Sequence, residues 1–595
     1  MAFLSRLFLR ATSAIDRLIG WDRLPRALGL VTLAGIRHRL RRENLHDPSP
    51  GTVAGGEPPG SPPDASALVS RTADGTYNDL SSPRMGSAGT RFGRNVPISA
   101  TYPTPEEALL TPNPRAVSRE LLTRESFIPA TTLNVLAAAW IQFEIRDWFS
   151  HGPPRDEAPW RLPLGDDDPW PERPMTVSRT DVDQPEGPGG APPTFTNVET
   201  HWWDASQLYG SSAGFQRWLR SGVDGKLALD EHGMLPFDPA GLERVPGGTD
   251  GWWLGLAVLH VLFMREHNAV CDRLRTEYPS WSDDELFERA RLVVAALIAK
   301  IHTVEWTTAI LGHPTMQIAM RANWWGVASE RVHRLLGRLS DSEIISGIPG
   351  SPTDHHGVPY AMTEEFVAVY RMHPLVPDEF SFRSAADGSG IRDHTLPQLV
   401  GTHAVKVLEQ VSLADVLYSF GTAHPGAITL HNHPRSLQRF EKADGTLIDL
   451  AAIDILRARE RGVPRYNDFR RLVHLEPAAS FDDLTDDPAW AGQLRRVYDD
   501  DIDSVDLMVG MYAERPPAGF GFSDTAFRIF ILMASRRLNS DRFFTADFTP
   551  RVYTQAGMDW IDDNDMSTVL LRHCPALAPS LRGVRNAFSP WATVA

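Results

Sequence analysis

Residues 361–380, AMTEEFVAVYRMHPLVPDEF, constrain this chain more than any other stretch. Phe366, Val369 and Tyr370 recur at three- and four-residue spacing, which predicts a helix. Pro374 and Pro377 stop that helix within a turn, because proline lacks the amide hydrogen a helix needs. His373 is therefore expected at a helix terminus, one turn after Tyr370 and on the same face. A neutral imidazole fixed at such an end can serve as an axial ligand to haem iron, and a tyrosine one turn away can be oxidised by it. Taken singly, both residues fit plain core packing at least as well.

The chain has 595 residues, enough for one large core or several ordinary domains. Its 42% hydrophobic and 23% charged content predict a folded body, and a net charge of −16 argues against a nucleic-acid partner. Cys271 and Cys574 cannot build a disulfide framework and have no zinc spacing, so a reducing, cytoplasmic setting is expected. No run approaches the roughly 18 apolar residues of a membrane span. At the N-terminus, Phe3, Leu4, Leu7, Phe8 and Ile15 share one helical side with arginines interleaved. That segment could rest on a membrane surface or dock on the domain itself, and the pattern fits both.

Four regions follow in order. Residues 1–45 predict an N-terminal helical segment, and residues 46–66 a flexible tether rich in Pro, Gly and Ser. Residues 67–129 read as an ordered arm without periodicity. From 130 to 595, long helical patterns dominate and strand-like alternation is scarce, which predicts a mainly α domain wrapped around something buried.

Several words in that domain combine apolar periodicity with polar residues. TTLNVLAAAWIQFEIRDWFSHG, residues 131–152, carries Gln142, Arg146, Asp147 and His151. THWWDASQLYG, residues 200–210, offers Thr200, Asp204, Ser206 and the carbonyl of Trp202 as hard oxygen donors, which suit Ca²⁺ but also fit an Asx-type turn. MREHN lies within a buried helix over 251–274, and RLVVAALIAKIHTVEWTTAIL, residues 291–311, contains His302 and Thr307. Asn432 in LHNHPRSLQ is a candidate hydrogen-bond partner for the His373 imidazole. RARERGVPRYNDFRR contains Arg461 and Arg465, and FRIFILMASRRLNSDRFFT contains Arg536 and Arg537.

Together with RTADGTYND and FGRNVP in the arm, these words resemble, in order, the fatty-acid alpha-dioxygenases of the cyclooxygenase-like, animal-type haem peroxidase superfamily. The resemblance implies a mainly α haem peroxidase fold with haem b buried between the 131–149 helix and His373. It implies a proximal His373, a radical-bearing Tyr370, and His151 and Gln142 near the haem, with Arg461 and Arg465 toward the propionates. It implies calcium held by Asp147, Thr200, Trp202, Asp204 and Ser206. It also implies a carboxylate clamp of His302, Thr307 and an arginine, Arg537 rather than Arg536. Thr249 and Trp252 stand where mammalian members of the superfamily carry an Arg and a haem-esterifying Glu, so the resemblance implies non-covalent haem.

The reaction implied starts when peroxide oxidises the haem and the haem oxidises Tyr370. The tyrosyl radical takes a hydrogen from the α-carbon of a fatty acid, and O₂ adds to give a 2-hydroperoxy acid. One residue departs from the family. Arg146 stands where the distal His is found, and an arginine can polarise a bound peroxide but cannot deprotonate it. That departure keeps two alternatives open: a haem peroxidase or oxidase acting on another small substrate, and a haem- or lipid-binding protein without turnover.

Overall fold

The computed structural model describes residues 2–48, 68–184, 190–236 and 251–594. Most of the expected tether, and Thr249, lie outside the described residues. Among the described residues helices dominate, and the strands form four separate two-stranded antiparallel pairs. One pair, Glu379–Arg383 with Gly390–Thr395, sets Phe380 opposite His394 just beyond the His373 turn.

Two long helices, Leu254–Glu277 and Asp283–Ile301, form the centre of the core. The second begins with a capping box, in which Ser282 and Glu285 satisfy each other's backbone amides. By length and composition the Asp283–Ile310 stretch could cross a membrane, yet 89% of its apolar window is buried in the fold, so it is a core helix. It is not the continuous helix expected over 291–311. After Ile301 the chain widens into one π turn, His302–Trp306, before resuming as Thr307–Ile310. Such single wide turns recur at functional sites, and this one carries His302.

The helix expected over 131–152 runs from Val135 to Trp148, because the Asn134 side chain caps it by accepting from the Ala137 amide. His151 therefore lies beyond it. The helix before His373 is also shorter than expected. Thr363 caps the helix Glu364–Val369 and Tyr370 follows it as the C-cap, while His373 opens a separate 3₁₀ turn, His373–Leu375. The residue before a proline is driven out of the helical region, so Pro374 acts one residue earlier than its own position. Tyr370 and His373 thus share a cavity rather than a helix face.

The arm has little regular structure but is anchored by buried ion pairs across the molecule. Arg71 reaches Asp541 at 2.8 Å, and Arg94 reaches Glu365 at 2.8 Å. Gly426 lets its loop close on the proximal turn, since a Cβ there would meet the Pro374 carbonyl at 2.1 Å. A second small core of Leu109, Leu162, Trp170, Met175 and Val177 packs on Ala452 and Leu456, and so fixes the Leu450–Glu460 helix behind His373. The C-terminal helices Gln555–Asp563 and Met566–His573 pack on the central pair, and Glu266 there accepts from Trp560, Arg572 and His573.

Candidate active site

A cavity of about 350 Å³ opens between the Val135–Trp148 helix and the His373 turn. Gln142, Arg146 and Phe149 form one wall, and Tyr370, Arg371 and His373 the other. Trp252, Trp253, Val400 and Leu450 are among the apolar residues that close it. An imidazole facing a guanidinium across apolar walls fits a planar macrocycle with one axial ligand. Gln142 is held in place, its side chain bonded to the Trp253 indole and the Gly251 carbonyl.

Burial pulls the Arg146 pKa down to about 10, and Glu199 opposes the shift, so the guanidinium stays charged at neutral pH. It can donate to a bound oxygen but cannot take its proton. Tyr370 is buried against Trp148 and Phe366, with ring centres at 5.3 and 4.4 Å. Burial pushes its phenol well up, Glu144 adds to the shift, and the proton stays on in the resting protein.

Behind Tyr370 lies a cationic pocket. The Arg537 guanidinium is sandwiched between Trp148 and Trp203 at 3.9 and 4.0 Å, and its Nε and Nη2 are buried without hydrogen-bond partners. The Thr307 hydroxyl is buried and unpartnered as well. Trp140 Nε1 donates to His302 Nδ1 at 3.2 Å, so Nε2 carries the ring proton and is a donor. Burial and the charge of Arg537 push the His302 pKa well down, which keeps the ring neutral. Such a set of unfulfilled donors suits a carboxylate. Arg536 is engaged elsewhere, donating to the Val358 and Pro359 carbonyls, so Arg537 is the arginine of this pocket.

The expected calcium residues converge. The Ser206 amide and hydroxyl bond Asp147 Oδ1 at 2.5 and 2.9 Å, and Thr200 donates to Asp204 at 3.0 Å. Asp147 Oδ2 is buried without a partner. Burial pushes both carboxyls up, and Asp204 raises Asp147 further, although Arg291 and Arg71 moderate Asp204. Two such carboxylates with hydroxyls between them suit a hard cation. Among the described residues no three His, Cys, Asp or Glu side chains meet at one point. The set is therefore mostly hydroxyl and carbonyl oxygen.

Three expected residues are placed differently. Asn432 does not meet His373. Its side chain accepts from Arg124 and the Ile128 amide and donates to the Ile128 and Ala427 carbonyls, so it braces the loop instead. Arg465 is committed to Asp506, together with Arg459. His151 sits outside the cavity lining, stacked on Phe92 at 4.4 Å and bonded to both Glu364 oxygens at 3.0 and 3.1 Å. Burial and Arg461 hold its pKa at about 4, so it is neutral. Arg461 shares a small cleft with Glu364, Arg371, Asp454 and Arg457.

Two buried acids were not anticipated. Asp454 lies 3.1 Å from His373 Nδ1 and 2.9 Å from Arg371 Nη1. Burial favours its neutral form, but Arg371 and His373 outweigh this and hold it below the usual carboxylate range. Glu144 accepts from Trp203 Nε1 at 2.9 Å, and burial pushes its pKa well up. Both interrupt apolar helical runs, AAIDILRA and WIQFEIRDW, which is the signal that could have marked them.

The animal haem peroxidase family matches residues 70–585. Alpha-dioxygenase PIOX of Pisum sativum is 38% identical over 98% of this chain and 91% of its own length. The protein of that name from Oryza sativa subsp. japonica is 36% identical over 99% and 96%. The crystal structure of Oryza sativa fatty acid alpha-dioxygenase aligns with a TM-score of 0.91 at 35% identity, covering 99% of this chain and 97% of its own. The chain belongs to the animal haem peroxidase family and, within it, to the alpha-dioxygenases.

Proposed function

We propose that the protein is a haem-dependent oxygenase that adds O₂ at the α-carbon of fatty acids, giving 2-hydroperoxy acids. The observation that carries this reading is the place of Trp148. Its ring lies 5.3 Å from both Tyr370 and His302 and 3.9 Å from the Arg537 guanidinium carbon, so the donor pocket and the tyrosine share one neighbour. A carboxylate held by Arg537, Thr307 and His302 would bring the carbon next to it toward Tyr370, an argument from positioning. A peroxidase acting on an unrelated small molecule has no use for that pocket. A solved structure of the Oryza sativa enzyme, in a Tyr-to-Phe variant, is described with palmitic acid.

Haem, when bound, supplies the oxidising power. His373 would ligate its iron, Arg146 would face it from the other wall and donate to an activating peroxide, and Arg371 and Arg461 would meet its propionates. Tyr370 would act as a radical that removes the α-hydrogen. Asp147, Thr200, Asp204, Ser206 and the Trp202 carbonyl would hold calcium and tie the distal helix to the 200–210 loop. Tyr370→Phe tests the assignment. Oxygenation should be lost while the haem spectrum stays normal, and retained oxygenation would contradict the role of Tyr370.

The N-terminal helices, Ala2–Ile19 and Arg26–Glu43, support peripheral contact with a membrane that delivers the fatty acid. Residues 1–45 hold nine arginines, of which Arg17, Arg37, Arg39 and Arg41 pair with Glu476, Glu343 and Glu43, in a chain of net charge −16. Leu7, Phe8, Leu18, Ile19 and Leu28 are exposed there, Leu18 at 82%. Cationic and apolar groups on one helical unit suit an anionic lipid surface on the cytoplasmic side.

A further inference from the structure

We infer that Arg537, besides serving a fatty acid, keeps an oxidising radical on Tyr370 by making Trp148 and Trp203 hard to oxidise. The inference rests on the proposed radical role of Tyr370. Among the described residues, Phe366, Phe530 and Trp148 pack their rings on Tyr370, with centres at 4.4, 6.3 and 5.3 Å. The two phenylalanines resist oxidation, so Trp148 is the ring through which the radical could drain. From there Trp203 is 6.0 Å away, and Tyr360 stacks at 4.6 Å on Trp202, the next residue in the chain. In such a leak Tyr370 regains one electron from Trp148 and one proton from the cavity it lines, and Trp148 is left one electron short. A free indole and a free phenol give up an electron with similar ease, so the identity of the rings alone does not hold the radical.

Arg537 sets the barrier against that transfer. Its guanidinium carbon lies 3.9 Å from the Trp148 ring centre and 4.0 Å from that of Trp203, and both rings are buried. An intact indole attracts a cation to its face, whereas an indole that has lost an electron repels it, and burial leaves that repulsion poorly screened. An arginine stays charged. Its Nε and Nη2 have no hydrogen-bond partner, so no acceptor on those atoms offsets the charge. Trp148 cannot readily shed its own charge as a proton either. Its Nε1 is buried without an aligned acceptor, while Glu144 takes the Trp203 N–H. Tyr370 differs on both counts. A phenol loses its proton on oxidation and is left neutral, and the guanidinium covers Trp148, Trp203 and, at 5.8 Å, Phe366 rather than Tyr370. Farther along, Arg536 lies 5.6 Å from the Tyr360 ring and opposes oxidation there in the same way. The arginine that would hold a fatty acid thus confines the radical while the pocket is empty, and a bound carboxylate relaxes the barrier only once substrate is in reach.

The experiment treats haem-loaded protein with hydrogen peroxide, without fatty acid, and records the electron paramagnetic resonance signal of protein made with ring-deuterated tyrosine or ring-deuterated tryptophan. Tyrosine labelling should narrow the signal of the unaltered protein. In Arg537→Gln tryptophan labelling should narrow it instead, Arg537→Lys should keep the tyrosine response, and Arg537→Gln combined with Trp148→Phe should regain it. A signal in Arg537→Gln that still responds to tyrosine labelling alone would overturn the inference. If that variant does not fold or load haem, the unaltered protein still decides. After repeated peroxide, peptide mapping should find Trp148 and Trp203 without added oxygen, and oxidation of either would overturn the inference. A signal that Tyr370→Phe leaves unchanged would instead show that the reading of Tyr370 itself is wrong.

Discussion

On the proposed reading, Arg146 limits how fast this protein turns over. General base catalysis contributes about 10²–10⁴-fold, and an arginine cannot provide it. Arg146→His should therefore raise peroxide-dependent turnover about a hundredfold, measured as initial oxygen uptake. Unchanged or lower activity would mean that arginine does not limit activation. On the same reading Arg537 serves binding instead. Loss of a charge-assisted hydrogen bond costs about 1.5–3 kcal/mol, so Arg537→Ala should raise KM for a fatty acid about tenfold or more. The turnover number should change less, and Arg536→Ala should leave KM near its original value. At this scale the sequence was most informative where a residue's chemistry is local. His373, Tyr370, Arg146, His302 and Thr307 could be named from their words, and the structure brings them to one region. Asn432 and Arg465 could not be placed, because which acid or carbonyl engages a side chain depends on loops distant in sequence.

Calcium held as proposed would tie two elements together, and its loss should be visible as loss of stability. Asp147 and Asp204 have pKa values raised in the folded state. Without a cation, folding therefore takes up protons that the unfolded chain binds only at lower pH. Their stabilising contribution is complete below the unfolded carboxylate range and is lost as pH rises through the raised folded values. In chelator, Tm should fall as pH rises above about 4, and added calcium should flatten that dependence. A Tm insensitive to both would remove calcium from the account. Helix existence was legible here because periodicity is a property of the segment itself. Helix ends were less so: Asn134, Thr363 and the π turn at His302 shifted each boundary through caps and tertiary packing.

For the molecule as a whole, the mainly α architecture was legible from long apolar periodic runs separated by Pro- and Gly-rich loops. The two facing walls of the cavity were expected only through the family resemblance, since residues 142–149 and 370–373 lie more than two hundred residues apart and no local pattern joins them. The segregation of charge gives another prediction at this scale. The protein should sediment with vesicles containing phosphatidylglycerol, bind less to purely phosphatidylcholine vesicles, and release as salt is raised. Leu18→Asp together with Phe8→Asp should weaken that binding. Equal binding to both vesicle types, or none, would leave the N-terminal helices as a docked part of the domain.

The most direct test of the central claim is oxygen uptake by haem-loaded protein given palmitic acid, with the product identified by mass spectrometry. The account predicts uptake yielding the 2-hydroperoxide or its one-carbon-shorter aldehyde. A normal haem spectrum with a trace of peroxide and no uptake would contradict it.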